Sequence, residues 1–177
     1  MKRLCPLENQ SIHHIYNKSI YRFELFTCED EYQRMLKLIQ FYKYDGHSQP
    51  FSHFIEKKNN DGFFTDHTAT SEHKLLLVKI IAYCLMPTHV HFILQQLRDK
   101  GIETFMRRLL NAYSKYFNLR HNRRGPLWEN RFGNRIIVDE KGLNQRIMYV
   151  HYNPVKENLV KTPQEWAYSS ALLNTGC

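Results

Sequence analysis

The sequence predicts an α+β protein with a ferredoxin-like split βαβ sandwich, in which an antiparallel sheet carries helices on one face. The main observation is the order of segments, because stretches with strand and helix patterns follow one another as β-α-β-β-α-β. One more helix follows the last strand. The length of 177 residues suits a single domain, with enough chain to bury a core without disulfides or a structural metal.

The first half of this pattern contains one strand and one helix. Residues 12–17 have strand character, and the following Asn-Lys-Ser marks a turn. The first helix is expected to begin after Thr27 as N-cap, with three acidic residues in its first turn, and to continue to Asp45-Gly46. Residues 45–74 lose all periodicity, and we interpret them as a surface excursion.

A hairpin of two buried strands is predicted for residues 76–94, with Pro87 at its turn. Because side chains alternate along a strand, His89 and His91 share one face, while Val90 and Phe92 point into the core. Two imidazoles on one face can bind a single metal ion. They can equally be ordinary histidines that are satisfied by hydrogen bonds.

The next helix is the most regular one in the sequence. Apolar residues recur at helical spacing from Ile102 to Phe117, which predicts a long amphipathic helix. Tyr113 and Tyr116 lie on its apolar stripe, so we interpret both as core residues. A strand is then predicted from Phe132 to Val138.

The last long helix is expected to open at Asp139-Glu140 and to end where Pro154 prevents continuation. Its apolar stripe consists of Leu143, Ile147 and Val150. A rotation of about 100° per residue places Tyr149 and Asn153 on the flank of that stripe. Tyr149 is therefore poorly placed to be a core residue.

Positive charge is concentrated in one part of the chain. The net charge is +8, and residues 107–135 contain eight cations but only one acidic residue, Glu129. These cations alternate with aromatic residues, a combination that suits the phosphates and unstacked bases of nucleic acids. The alternative is a solvated basic face. The eight predicted DNA-binding residues are Arg107, Arg108, Lys115, Arg120, Arg123, Arg124, Arg131 and Arg135.

The remaining composition predicts a soluble cytoplasmic protein that does not interact with membranes. The four cysteines are scattered without a paired motif, so neither a disulfide framework nor a zinc knuckle is indicated. The N-terminal residues have no apolar segment behind their positive charges, and the longest apolar run is too short to span a bilayer.

Several motifs together resemble the IS200-like single-tyrosine (Y1) transposases of the HUH superfamily, and most closely the repeat-associated tyrosine transposases. The resemblance covers roughly residues 12–171. It is carried by the motifs MPTHVH at 86–91, YFN at 116–118 before the RRG turn at 123–125, LWENRF at 127–132, and YVHYNPVK at 149–156.

The resemblance implies a role for each marked residue. His89 and His91 would bind a divalent cation, magnesium or manganese, and Asn153 would stand where relatives place a third polar ligand. Tyr149 would be the nucleophile, carried on an extra C-terminal catalytic helix. Arg146, one turn before it, is a candidate for stabilising charge.

The implied function is a DNA transposase that cleaves single-stranded or hairpin DNA through a 5′-phosphotyrosine, acting as a monomer or homodimer. Two other hypotheses remain open at this point. One is a non-catalytic protein that binds hairpin nucleic acids. The other is a metal-dependent hydrolase in which His89 and His91 activate water.

Overall fold

The computed structural model describes residues 5–47, 49–52, 75–129 and 131–174. Within these ranges the elements follow the predicted order. They are β1 (Ile12–Lys18), α1 (Glu29–Tyr42), β2 (Val78–Met86), β3 (His89–Gln96), α2 (Gly101–Arg120), β4 (Gly133–Ile137), α3 (Glu140–His151) and the short helix α4 (Asn153–Lys156). No helix in the described ranges is long and apolar enough to cross a membrane.

The four strands form one antiparallel sheet in the order β2-β3-β1-β4. The two inner strands are therefore β3, which carries the paired histidines, and β1. Their register sets Tyr16 opposite His91 and Lys18 opposite His89. The predicted ferredoxin-like sandwich is confirmed.

One face of the sheet packs against α1 and α2 and forms the main core. Val90, Phe92 and Leu94 of β3 point to this side and are fully buried. Facing them from the helices are the buried side chains of Met35, Leu38, Phe105, Leu109, Tyr113 and Phe117. The core assignment of Tyr113 is confirmed, whereas Tyr116 is only partly buried against this cluster.

The opposite face packs against α3. Alternation along β2 and β3 points Ala82, Cys84, Met86 and Ile93 to this side, where they form a second, smaller cluster with Val150 of α3. The helices of the sandwich and the extra helix thus lie on opposite faces. His89 and His91 share the face that α3 covers.

The start of α1 differs from the prediction. Its N-cap is Cys28, not Thr27, and the helix ends at Tyr42, before Asp45. Thr27 still stabilises the first turn, because its backbone N–H and its hydroxyl both donate to the Glu31 carboxylate, at 2.7 and 3.0 Å. The Glu31 carboxylate therefore accepts from Thr27, whereas we expected the Thr27 hydroxyl to accept from the first turn.

The end of α3 also differs from the prediction, because the helix stops at His151 and α4 begins at Asn153. Proline has no N–H, so Pro154 cannot donate to the carbonyl of Val150 as a helix would require. The Asn153 side-chain amide donates there instead, at 3.2 Å, and also to the Tyr149 carbonyl at 2.7 Å. Pro154 lies in the first turn of α4, a position that proline favours.

Most of the predicted excursion at 45–74 lies outside the described residues. The single-domain assignment stays a prediction.

Candidate active site

Three elements bring an aromatic hydroxyl and three imidazoles together on the face covered by α3. The ring centroid of Tyr149, on α3, lies 5.9 Å from that of His91 on β3 and 5.8 Å from that of His14 on β1. The centroids of His89 and His91 are 4.9 Å apart. The predicted nucleophile and the two predicted metal-binding histidines therefore meet within a single chain.

The δ nitrogens of both histidines contact other protein atoms. His89 Nδ1 lies 3.0 Å from the Thr88 hydroxyl, and His91 Nδ1 lies 3.0 Å from Nε2 of His14. Among the described residues neither ε nitrogen forms a hydrogen bond, so each is left for a further contact. The Glu157 carboxylate lies close by, with its Oε1 3.8 Å from His89 Nε2.

Burial and neighbouring cations keep all three imidazoles neutral. Burial lowers the pKa of His91 to about 2, and the neighbouring His89 and His14 act in the same direction. Burial also lowers the pKa of His89 to about 4, with help from Lys18 and Arg22. A neutral imidazole keeps the lone pair that a metal ion requires, so these groups are ready to act as ligands at physiological pH.

The donor set fits a divalent transition-metal ion. Two neutral imidazoles suit such ions, whereas Mg²⁺ prefers oxygen ligands, so manganese fits better than magnesium among the two expected cations. No group of three or more His, Cys, Asp or Glu side chains in the described part of the chain is arranged to hold a metal ion. Further ligands would have to be the Asn153 side-chain oxygen, Glu157, water or a bound phosphate.

Tyr149 is accessible and lies between two cations. Its side chain is 36% exposed, while the neighbouring Val150 is fully buried, which confirms its predicted place on the flank of the apolar stripe. The Lys156 ammonium lies 4.4 Å from the ring centroid, and the Arg146 guanidinium carbon lies 5.4 Å from it. Positive charge therefore lies beside the Tyr149 ring.

The eight basic residues do not form one surface. Arg107 and Arg131 line a groove of about 760 Å³ between α2 and residues 126–132, together with Trp128 and Phe132. Arg135, in contrast, lies on the edge strand β4, directly opposite His14 in the sheet register. It therefore belongs to the side of the sheet that carries Tyr149.

Three of the other arginines are held by contacts within the protein. Arg108 forms an ion pair with Asp45 at 2.8 Å, and Arg120 forms one with Asp30 at 3.3 Å. Arg123 donates to the Asn118 side chain at 3.1 Å and to the Pro126 carbonyl at 3.0 Å. Lys115 and Arg124 are exposed. The basic segment is thus partly structural, which its sequence does not reveal.

The motifs did not mark His14, Lys156 or Glu157 as site residues. A signal for His14 exists in the predicted fold, because the ferredoxin-like sheet order makes β1 the neighbour of β3. Alternation along β1 then puts His14, Tyr16 and Lys18 on one face, and the register confirms that this is the face of His89 and His91. Lys156 and Glu157 come close only through the turn at Pro154.

Comparisons with known proteins agree with the motifs. The family described as "Transposase IS200 like" matches residues 67–153, a stretch that contains His89, His91, Tyr149 and Asn153. A Haemophilus influenzae protein named as a REP-associated tyrosine transposase is 31% identical over 100 residues. These residues are 51% of this chain and 57% of that protein, so the match spans little more than half of the relative's length.

A solved structure shares the fold. It is described as a REP-associated tyrosine transposase bound to a REP hairpin, and it superimposes with a TM-score of 0.62 at 18% sequence identity. The superposition covers 98% of this chain and 84% of that one. The arrangement of sheet and helices is therefore common to both proteins.

Proposed function

We propose that the chain belongs to the IS200-like transposase family and that it is a DNA strand transferase in which Tyr149 bonds covalently to single-stranded DNA. The observation that carries this proposal is the meeting of the Tyr149 ring with His91 and His14 at 5.9 and 5.8 Å in one chain. An exposed phenol between two cations suits a nucleophile that must reach a phosphate.

In the proposed reaction the Tyr149 oxygen attacks the phosphorus of a phosphodiester. The new bond joins that oxygen to phosphorus, and the bond from phosphorus to the 3′ oxygen breaks. The phenol gives up its proton, and the departing 3′ oxygen gains one, so the products are a 5′-phosphotyrosine and a free 3′-hydroxyl. Because one phosphodiester replaces another, attack by a 3′-hydroxyl can later rejoin strands without an external energy source.

The residues around the hydroxyl have distinct proposed roles. In water only about one phenol in a thousand is ionised at neutral pH, so the site must favour loss of the proton. Arg146 and Lys156 lie beside the ring and would stabilise negative charge on the phenolate and on the phosphate. Arg135, on the same side of the sheet, would add a contact to the DNA backbone.

We further propose that His89 and His91 hold a divalent cation, for which manganese fits better than magnesium, and that Asn153 or Glu157 adds an oxygen. Because the Asn153 amide nitrogen already donates to the end of α3, only its oxygen can take this role. A bound cation would supply positive charge next to the phosphoryl oxygens. His89 and His91 would hold that charge on the face of the sheet that carries Tyr149.

The DNA substrate is proposed to be a hairpin with a single-stranded flank, because the solved structure that shares this fold is bound to a REP hairpin. The groove between α2 and residues 126–132 supports this, since it combines Arg107 and Arg131 with the rings of Trp128 and Phe132. Guanidinium groups suit phosphates and aromatic rings suit unpaired bases. The groove and the tyrosine would thus contact different parts of one DNA molecule.

The decisive experiment is a search for the covalent adduct. The full chain is incubated with a 5′-flanked hairpin oligonucleotide and Mn²⁺ and then run on a denaturing gel. A band that contains both protein and DNA is expected, and Tyr149→Phe should abolish it. The matched control is Tyr152→Phe, which removes the hydroxyl of an exposed tyrosine three residues away and should leave the adduct intact.

The same gel separates the alternative functions. Cleavage that survives in Tyr149→Phe without any adduct would support a hydrolase that uses activated water. Binding without cleavage in the unmodified protein, under all metal conditions, would support a non-catalytic nucleic-acid-binding protein. Either result would overturn the proposal.

A further inference from the structure

We propose that His14 is a positioning residue for the cation site, which holds His91 in the tautomer that can bind a metal ion through its ε nitrogen. The inference rests on the proposed function only in taking His91 as a ligand. Its evidence is a hydrogen bond, a pattern of burial and the donor and acceptor chemistry of an imidazole pair.

The contact between the two histidines is direct and shielded from water. His14 Nε2 and His91 Nδ1 are 3.0 Å apart, and the residues are 3% and 6% exposed. Their rings lie within 19° of parallel, with centroids 5.1 Å apart.

A hydrogen bond between two ring nitrogens has only two forms, because one nitrogen must donate and the other must accept. In the first, His91 donates its Nδ1–H to Nε2 of His14, and the ε nitrogen of His91 keeps a lone pair. In the second, His14 donates, and His91 must carry its proton on Nε2. Only the first form lets His91 bind a cation through the nitrogen that the protein leaves uncommitted.

Stability does not explain a histidine at position 14. Its Nδ1 is buried without a hydrogen-bond partner among the described residues, and an apolar side chain there would avoid that cost. Groups that orient a metal-binding histidine through its second nitrogen are a general feature of metal sites. The paired ε nitrogen of His14 has the geometry for this task.

The test measures metal binding without DNA. Mn²⁺ affinity is measured by electron paramagnetic resonance for the unmodified chain, His14→Leu and His14→Gln. We expect His14→Leu to weaken binding about 10- to 100-fold, the usual loss when such a partner is removed. His14→Gln, whose side-chain oxygen can accept the same hydrogen bond, should restore affinity to within a few-fold.

His13→Leu is the matched control. His13 is the adjacent buried histidine on the same strand, it points to the opposite face, and its Nε2 contacts Ser11 rather than His91. The same substitution there should leave Mn²⁺ affinity unchanged. Equal Mn²⁺ affinities for His14→Leu and the unmodified chain would overturn the inference. If His14→Leu lost adduct formation while keeping normal Mn²⁺ affinity, the inference would also be overturned, because His14 would then act on Tyr149.

A second measurement covers the case in which His14→Leu does not fold. In the unmodified chain loaded with diamagnetic Zn²⁺, nitrogen-15 NMR should show the His91 proton on Nδ1, protected from exchange with water. A proton on Nε2 would overturn the inference. The Mn²⁺ and NMR measurements use no DNA, so failure of the proposed strand transfer would leave their results unchanged. If the unmodified chain forms the adduct normally but His14→Leu binds Mn²⁺ as tightly as the unmodified chain, only the role of His14 is rejected.

Discussion

The two faces of the sheet are made by alternate residues of the same strands, yet they bury different kinds of side chain. Toward α1 and α2, Phe92 lies in a fully buried apolar core, and the buried carboxylate of Glu31 receives hydrogen bonds from Thr27 and lies 2.5 Å from His121 Nε2. Toward α3, His14 is equally buried but keeps one nitrogen unpaired among the residues that the structure describes.

This difference indicates what each face is for. The face toward α1 and α2 buries a large apolar cluster and the paired Glu31 carboxylate, which contribute stability, although Asn17 Nδ2 on this face has no hydrogen-bond partner among the described residues. A face with neutral imidazoles, uncommitted nitrogens and a half-exposed phenol gives up some stability and gains binding capacity. Substitutions on the two faces should therefore affect different measured quantities.

The largest expected effect is on the α3 face and is all-or-none. Mixing His91→Ala with Tyr149→Phe should give no covalent adduct, because each chain assembles its histidines and its tyrosine internally, with ring centroids 5.9 Å apart. The readout is the denaturing gel. Mixtures of either variant with the unmodified chain should still give the adduct, and restored activity in the mixed variants would mean that two chains share the site.

The next effect contrasts one aromatic residue from each face. Phe92→Ala, in the main core, should lower the free energy of unfolding by about 3–5 kcal/mol, because it leaves a cavity where a fully buried ring was packed. Tyr149→Ala removes a ring from the exposed side of α3 and should cost about 1 kcal/mol or less. Urea unfolding measures both, and similar losses would show that Tyr149 is a packing residue.

A smaller effect concerns Glu31. Burial alone would raise its pKa, but hydrogen bonds from Thr27 and His121 hold the pKa below the usual value of 4.5. The carboxylate thus stabilises the fold fully above about pH 4.5, and this contribution is lost as the pH falls through the lower folded-state value. Glu31→Gln should lower the free energy of unfolding by about 1.5–3 kcal/mol at pH 7. Between about pH 5 and pH 3 this variant should lose less stability than the unmodified chain, because it has no carboxylate to protonate.

Urea unfolding at several pH values checks this prediction. Glu140→Gln, at the exposed first turn of α3, is the control and should change the unfolding free energy by about 0.5 kcal/mol or less, with an unchanged pH profile. An unchanged pH profile in Glu31→Gln would contradict the role of the paired carboxylate.

The sequence predicts those features of the two faces that depend on periodicity. Alternation along one strand correctly separated His89 and His91 from Val90 and Phe92, and helical spacing correctly placed Tyr149 beside the apolar stripe. These inferences need no knowledge of distant contacts. The functional roles of the site residues stay predictions.

Features that depend on neighbours were missed. The contact of His14 with His91 requires the pairing of β1 with β3, and the orientation of Asn153 follows from the carbonyl that Pro154 cannot bond. The basic segment was interpreted as one surface, but Asp45 and Asp30, distant in sequence, pair with two of its arginines. Charge counts alone cannot distinguish an arginine that meets solvent from one that meets an acid.

The smallest expected effect tests that distinction on two adjacent residues of α2. Arg107 is exposed and lines the groove, whereas Arg108 is neutralised by Asp45 at 2.8 Å. Single-stranded DNA binding releases about 0.7 counterion per phosphate contact, so Arg107→Ala should reduce the slope of log affinity against log salt by about 0.7. Arg108→Ala should leave that slope nearly unchanged, since its charge is already balanced.

Fluorescence anisotropy between 50 and 200 mM salt, about the range in which such contacts are lost, measures both slopes. Equal changes would mean that the groove is not a DNA contact or that the Asp45 pair opens when DNA binds. Asp45→Asn, which removes the partner of Arg108, would separate these two explanations by raising the affinity only in the second case, because the pair then no longer has to be broken.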